Sequence, residues 1–238
     1  MPVADLDIGF DADNAEVAAI AASFEREPPE AILRWSLRVF GPDVALATGF
    51  GVEGCVLIHM LSTINRNARI FYLDTDLLFP ETYRLCQQLE ARYGVKIERQ
   101  ATRLSLNSQA EEYGERLWER HPDVCCRLRK VEPLKEILAG LRAWITSIRR
   151  DQTAARAEAK VIERDRKFGL IKINPLATWS ALDVWRYVEQ HEVPYNPLYT
   201  RGYESIGCAP CTTVVQNGED ARAGRWRGSI KTECGLHQ

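Results

Sequence analysis

The chain has no uninterrupted apolar stretch near the roughly 18–20 residues that a helix needs to span a bilayer, so it is not read as a helical membrane protein. It also has no marked charge of either sign. Lys and Arg number 31 against 33 Asp and Glu, a formal net charge of -2 over 238 residues. A general nucleic-acid or membrane-surface binder needs a basic excess that this composition lacks, so neither partner is expected. The first thirty residues are acidic and Ala-rich and lack a basic segment leading into an apolar one. No secretory leader is therefore expected, and the expected location is cytoplasmic. Internal repeats are absent. So are G-x-x-x-x-G-K-[ST] and G-x-G-x-x-G, which removes the Walker and dinucleotide fingerprints. What is present is 45% hydrophobic residues, enough to bury a core as one large α/β domain or two small ones.

Seven cysteines are present. A reducing cytosol does not keep structural disulfides, so clustered cysteines in such a protein point to a metal or to redox chemistry. An odd count leaves one thiol over from any even set. Cys55 (in GCVLIHML) and Cys86 (in TYRLCQQLEARY) lie in apolar-periodic stretches and are read as buried small hydrophobes. That leaves Cys125, Cys126, Cys208, Cys211 and Cys234. Cys234 lies in the final KTECGLHQ, where a chain frays unless tied down. It is read as an exposed thiol, either incidental or a nucleophile.

Helical periodicity covers 14–26 and 29–40, divided at Pro28–Pro29. VALAT (44–48) reads as a buried strand, followed by a glycine-rich loop, GFGVEG (49–54), and an apolar helix over about 53–63. RIFYLDT (69–75), VKIERQ (95–100) and AWITSI (143–148) are further strands, and VIERD and LIKINP are edge-strand candidates. Helices are expected over 80–94 and 179–192, the latter with Ser180 as N-cap and Asp183 completing an acidic capping box. Strands alternating with helices imply a mostly parallel sheet covered on both faces. Ligands bind beyond the carboxyl ends of such strands, so the loops 48–54, 74–78 and 147–152 are expected to converge. From about 193 onward helical periodicity fades, and the segment reads as one that orders on demand.

A strand, a glycine-rich loop and a helix can cradle an anion through free N–H groups; a plain tight turn is the alternative for GFGVEG. Arg149 and Arg150 in SIRRDQ suit phosphate or sulfate oxygens, with a solvated charge run as the alternative. Apart from Cys234, the remaining cysteines form two pairs, Cys125–Cys126 and Cys208–Ala–Pro–Cys211, with Cys208 lying 82 positions after Cys126. Zinc usually takes cysteines spaced by two to four residues in both halves, and adjacent cysteines fit one tetrahedral ion poorly. If a helix begins near 124, consecutive side chains diverge by about 100°, which suits separate iron corners of a [4Fe–4S] cluster. Zinc and metal-free thiols remain the alternatives.

CCRLRKVEPL (125–134), GCAPCT (207–212) and KTECGLH (231–237) together resemble the assimilatory adenylyl-sulfate reductases. These are iron–sulfur members of the phosphoadenylyl-sulfate reductase family. The resemblance runs from about 41 to 237 and implies a fold similar to the adenine-nucleotide α-hydrolases with a mobile C-terminal tail. It implies three parts: an N-terminal helical segment (1–40), a nucleotide-binding α/β domain (41–200) with the first cysteine pair, and 201–238 with the second pair and a catalytic tail. Carried over, Cys125, Cys126, Cys208 and Cys211 ligate a [4Fe–4S] cluster, Cys234 is the nucleophile, and Lys130 links cluster to substrate. Arg156, Arg222 and Arg225 would contact sulfate or phosphate. TGFGVEG and YLDTDLLFPETY resemble the family's first two strand-end loops, which makes Thr48, Gly49, Phe50, Gly51, Leu73 and Asp74 expected substrate contacts, with Arg149 and Arg150. His237 would assist the thiolate or simply be solvated. The usual first loop is Ser-Phe-Gly-Ala-Glu-Asp, and this chain has Gly49 and Gly54 at its ends.

The implied reaction turns adenylyl sulfate into sulfite and AMP, in sulfate assimilation and cysteine biosynthesis. It passes through an S-sulfocysteine on Cys234 that thioredoxin (or a glutaredoxin-like donor) resolves. The alternatives are reduction of the 3′-phosphorylated substrate, an ATP pyrophosphatase-type nucleotidyl transferase on the same fold, and a non-enzymatic iron–sulfur sensor. The sequence permits a homo-oligomer without specifying one.

Overall fold

The computed structural model describes residues 6–9, 13–229, 231 and 233–236. Among them, six strands form one sheet: β1 (Val44–Thr48), β2 (Arg69–Asp74), β3 (Ile97–Ala101), β4 (Ala143–Ile145), β5 (Ile162–Arg164) and β6 (Ile171–Ile173). Their order is β3-β2-β1-β4-β6-β5. Every neighbouring pair is parallel except β5 and β6. The helices are α1 (Asn14–Phe24), α2 (Pro29–Phe40), α3 (Val52–Ile64), α4 (Pro80–Tyr93), α5 (Leu106–Tyr113), α6 (Leu117–Arg120), α7 (Pro122–Cys126), α8 (Glu132–Leu138) and α9 (Ala181–His191).

The central strands read as near-continuous apolar runs because both faces of a parallel sheet are covered. On one face Leu46 sits between Ile70 and Ile145, and Ile145 pairs with Ile173. This row packs beneath Phe24, Trp35, Val56, Leu89 and Val184, which come from α1, α2, α3, α4 and α9. On the other face Ala45, Phe71 and Trp144 pack against Leu134 and Leu138 of α8. Alternation along each strand assigns its side chains to the two layers.

Several expectations shift by one to three residues at element ends, and four differ in kind. Of the two edge candidates, LIKINP forms β6, an interior strand, and VIERD forms the edge strand β5. Helices α5 and α6, too short to show clear periodicity, fill the stretch between β3 and the first cysteine pair. The helix beginning near 124 is not continuous: a π turn over Arg127–Val131 separates α7 from α8, and Glu132 N donates to Arg127 O, five residues back. Pro133 explains it. Proline offers no N–H to the carbonyl four residues earlier and clashes with it, and a π turn absorbs the mismatch. Finally, residues 193–229 have little regular structure but are docked on the core. Asn196 is fully buried, donating to Thr82 Oγ1 at 3.0 Å and accepting from Leu198 N at 3.1 Å. Short antiparallel bridges join Leu78 to Cys208 and Thr212 to Arg225.

The apolar row makes Leu46 a sensitive point. Leu46→Ala is expected to destabilise the fold by about 2–5 kcal/mol, as large-to-small changes in a closed core do. Denaturant unfolding should show a lower midpoint with an unchanged slope.

Candidate functional site

The chain runs outward from β1 through β2 to β3, then returns to place β4 on the other side of β1. The order thus reverses between β1 and β4, and a crevice opens there beyond the carboxyl ends of the strands. It is a cavity of about 690 Å³. Its walls include the ends of β1 (Thr48, Gly49, Gly51), β2 (Leu73, Thr75) and β4 (Thr146, Ser147, Arg149), so the three expected loops converge.

The first loop turns because Thr48 Oγ1 accepts from Phe50 N at 3.0 Å, with Phe50 in the left-handed region at φ 57. The Phe50 ring is buried against Tyr72, their centroids 5.2 Å apart. Phe50 therefore contributes its fold and not its side chain. Tyr199, which the sequence did not single out, accepts from Val52 N at 3.3 Å through its hydroxyl at the start of α3. Gly54 is explained by its neighbour: a Cβ there would lie 2.5 Å from Thr48 Oγ1, whereas one at Gly49 would meet nothing within 4 Å.

Asp74 is also turned to structural use. Its carboxylate accepts from Tyr83 Oη at 2.7 Å, Asp76 N at 2.9 Å and Arg99 Nε at 2.6 Å. Burial pushes it up, but the bonds from Tyr83 and Arg99 outweigh this and hold it below the usual carboxylate range. The two consecutive arginines are split. Arg149 is extended and caps a 3₁₀ turn that begins at Arg150, so the backbone changes direction between the two side chains. Arg149 lines the cavity, its Nε donating to Glu53 Oε1 at 3.1 Å and its Nη1 to Asp151. Arg150 faces the other way, donating to Ala159 O at 2.7 Å and to the Glu25 carboxylate at 2.7 and 2.9 Å. Arg150 is thus not brought to the site.

Arg156, Arg222 and Arg225 do line the cavity, as do Lys130 and Cys234. Burial, then repulsion from Arg225 and Arg156, pushes Arg222 down against the pull of Glu233. The Nε groups of Arg156 and Arg225 are buried without a hydrogen-bond partner. The region therefore keeps guanidinium N–H donors unused, which it can present to an anion. His237 lies outside the described residues.

Cys125 and Cys126 end α7. Cys208 and Cys211 lie on the loop that reaches β2, where Ala209 N donates to Leu77 O at 2.7 Å and Thr75 Oγ1 is 3.3 Å from Cys208 Sγ. Gly207 admits this packing, since a Cβ there would lie 2.2 Å from Arg225 Nη2. All seven cysteines are free thiols. Among the described residues, no group of three or more His, Cys, Asp or Glu side chains is arranged to hold a single metal ion. Instead the four thiols surround a small cavity together with Trp118, Trp226 and Arg129. Burial, then its neighbours Cys126, Cys208 and Cys211, pushes Cys125 up to about 12. Burial and Cys208 raise Cys211 to about 11. Burial also raises Cys208, but Lys130, the Thr75 hydroxyl and Arg225 outweigh it and bring the thiol below its usual range. Lys130 stays charged: burial would lower it, and Cys208, Cys234 and Cys126 raise it more. Thr75 and Lys130 line both cavities.

Trp118 Nε1 and Trp226 Nε1 are buried without a partner. An unpaired buried N–H costs about 1–3 kcal/mol, which an acceptor in the thiol-lined space would recover. The donor set fits a cubane: two diverging thiol pairs, an adjacent cation and two unpaired N–H donors.

Residues 43–214 match the phosphoadenosine phosphosulfate reductase domain. The chain belongs to that family. The adenosine 5'-phosphosulfate reductase of Salinibacter ruber is 49% identical to it over 94% of this chain and 89% of its own length. Adenosine 5'-phosphosulfate reductase 1 of Bacillus subtilis is 46% identical over 87% of this chain and 89% of its own. In three dimensions the chain resembles the phosphoadenylyl-sulfate reductase of Candida auris, solved as a phosphate complex, with a TM-score of 0.76, 30% identity, and 85% of this chain and 98% of that one covered. Candida glabrata FMN adenylyltransferase shares the fold, with a TM-score of 0.57 and 14% identity over 97% of this chain and 79% of its own.

The split between the arginines predicts a contrast. Arg156→Ala should weaken AMP binding about tenfold or more, the size of one charge-assisted hydrogen bond, while Arg150→Ala leaves it unchanged. Calorimetric titration checks this, and a comparable loss in Arg150→Ala would contradict the geometry.

Proposed function

We propose that the protein reduces adenylyl sulfate to sulfite and AMP in sulfate assimilation, with Cys234 as nucleophile and thioredoxin or a similar dithiol protein as reductant. The observation that carries this reading is one shared wall: Cys234 borders the same cavity as Lys130, Arg156, Arg222 and Arg225. The names of relatives such as those of Salinibacter ruber and Bacillus subtilis support the choice of substrate.

The sulfur of a sulfate–phosphate anhydride is electrophilic, but its oxygens repel an anionic attacker. Arginine forks offset that charge while gripping sulfate and phosphate oxygens, and the N–H groups of the Gly49–Gly51 loop add donors. The Cys234 thiolate attacks sulfur, and the bond from sulfur to the bridging oxygen breaks. AMP leaves with the electron pair and Cys234 keeps an S-sulfonate, so one hard step becomes two. A thiolate of the reductant then attacks Cys234 Sγ and sulfite departs with the pair. The second thiol of the reductant resolves the mixed disulfide, ending with an oxidised dithiol and a free Cys234.

Cys125, Cys126, Cys208 and Cys211 would hold a [4Fe–4S] cluster, which supplies a compact charge centre and ties the two halves of its motif together. The electrons for reduction come from thiols. Lys130, bordering both cavities, carries the positive charge that neutralises anionic groups on either side. The Candida auris relative is a phosphoadenylyl-sulfate reductase, which makes the 3′-phosphorylated nucleotide the second reading.

Anaerobically purified protein is expected to contain about four iron and four sulfide per chain and to release sulfite from adenylyl sulfate in the presence of thioredoxin. At least about tenfold preference over the 3′-phosphorylated form in kcat/KM is expected, and the reverse preference overturns the substrate assignment. Cys234→Ser should abolish sulfite release and keep iron content and AMP binding, because a serine hydroxyl supplies essentially no anion at neutral pH. Wild-type protein given adenylyl sulfate without a reductant should gain about 80 Da on the Cys234 peptide, one sulfonate that only a second thiol removes. Label on another cysteine, or turnover by the serine variant, would sink the mechanism.

A further inference from the structure

Glu233 immediately precedes Cys234, and its carboxylate lies between two of the cavity arginines. Arg156 Nη2 is 3.2 Å from Oε1 and 3.3 Å from Oε2, and Arg222 Nη2 donates to Oε2 at 3.0 Å. The three side chains are only 11, 14 and 17% exposed, for Glu233, Arg156 and Arg222 in turn. Yet the clasp is incomplete. Glu233 Oε1 makes no hydrogen bond, and neither do the Nε groups of Arg156 and Arg225, which line the same cavity. A planar carboxylate with two oxygens leaves donors idle that a tetrahedral anion with three free oxygens would engage. Two further contacts hold the same segment: Lys231 pairs with Asp123, and Lys167 Nζ donates to Gly235 O at 2.5 Å.

We infer that Glu233 is the resident anion of the substrate's anion subsite: its carboxylate fills the ground between Arg156 and Arg222 that sulfate or phosphate oxygens need. Tail docking through Glu233 and substrate binding therefore compete for the same two guanidinium groups. An arriving anion releases Glu233 and loosens the segment that carries Cys234, while the contacts at Lys231 and Gly235 keep the thiol at the cavity where the substrate lies. Gly235, at φ 80, supplies a backbone position where such a reorientation meets no Cβ penalty. The inference rests on the reading that these arginines bind the substrate's anionic group, and it is independent of which cysteine reacts.

The test uses the anaerobically purified, iron-replete protein without any reductant. Inorganic sulfate and AMP are the probes, and two quantities are read: AMP affinity by calorimetry, and the rate at which iodoacetamide alkylates the Cys234 peptide, followed by mass spectrometry. In wild type, sulfate should speed alkylation of Cys234 several-fold. Glu233→Gln removes the competing charge at constant size; it should bind AMP about tenfold more tightly and be alkylated quickly with or without sulfate. Glu233→Asp keeps the charge and should retain the response to sulfate. If Glu233→Gln binds AMP no more tightly, or if sulfate slows wild-type alkylation, the competition is refuted. Sulfite release is assayed separately, and its absence would remove the reductase reading while leaving the competition result standing.

Discussion

A single buried guanidinium joins the parts of this molecule that bear chemistry. Arg129 is 1% exposed, in the π turn that follows the first cysteine pair. Its Nε donates to Gln109 Oε1 at 2.7 Å, its Nη1 to Thr75 O at 2.9 Å and Asp76 Oδ2 at 3.0 Å, and its Nη2 to Leu104 O at 3.2 Å. Burying a charge is tolerable only when it is paired and hydrogen-bonded, and these acceptors meet that condition. They also come from three separate segments: the end of β2, the loop after β3, and α5. Thr75 in turn touches Cys208, so the arginine fixes the place on which the second cysteine pair docks. Without it, the pairs would belong to elements with little reason to meet.

Lys130 lies between the cavity lined by the two cysteine pairs and the cavity lined by Arg156, Arg222 and Arg225. Trp226 forms part of the partition, with Arg225 4.5 Å and Lys231 5.4 Å from its ring centroid and its backbone N bonded to Cys211 O at 2.9 Å. Indole faces attract cations, so the ring steadies the arginine cluster on its face while lining the thiol cavity. A ligand at the arginines and a group at the thiols thus share walls without sharing atoms.

Much of this was legible in the amino-acid order, and for physical reasons. The strands declare themselves because parallel strands covered on both faces are apolar throughout, and Ser180 and Asp183 make the reciprocal capping bonds that their spacing implies. The four thiols group together in the sequence because clustered cysteines in a reducing compartment point to a metal or redox role, and they line one cavity. What stayed hidden depended on side-chain direction. Nothing in R-L-R-K distinguishes the buried Arg129 from the exposed Arg127, because only the π turn forced by Pro133 decides which way each points. Arg149 and Arg150 are identical in type and adjacent, and the change from extended backbone at 149 to a 3₁₀ turn at 150 separates their side chains. Asp74 looked like a site carboxylate at a strand end, whereas Tyr83 and Arg99 claim its oxygens. Trp118 and Trp226 carried no signal beyond their hydrophobicity, since an unpaired indole N–H is a property of the folded surroundings.

The contact between Thr48 and position 54 bears on how such a loop can change over generations. With threonine at 48, any side chain at 54 meets its hydroxyl at 2.5 Å, and the hydroxyl is itself committed to the turn at Phe50. The two positions therefore cannot vary independently: a lineage acquiring a carboxylate at 54 must first shrink or reorient residue 48. Position 49 meets no protein atom and faces the cavity, so what limits a side chain there is the ligand and not residue 48. One loop thus contains a site answerable to what the cavity binds and another whose history is constrained by its neighbour.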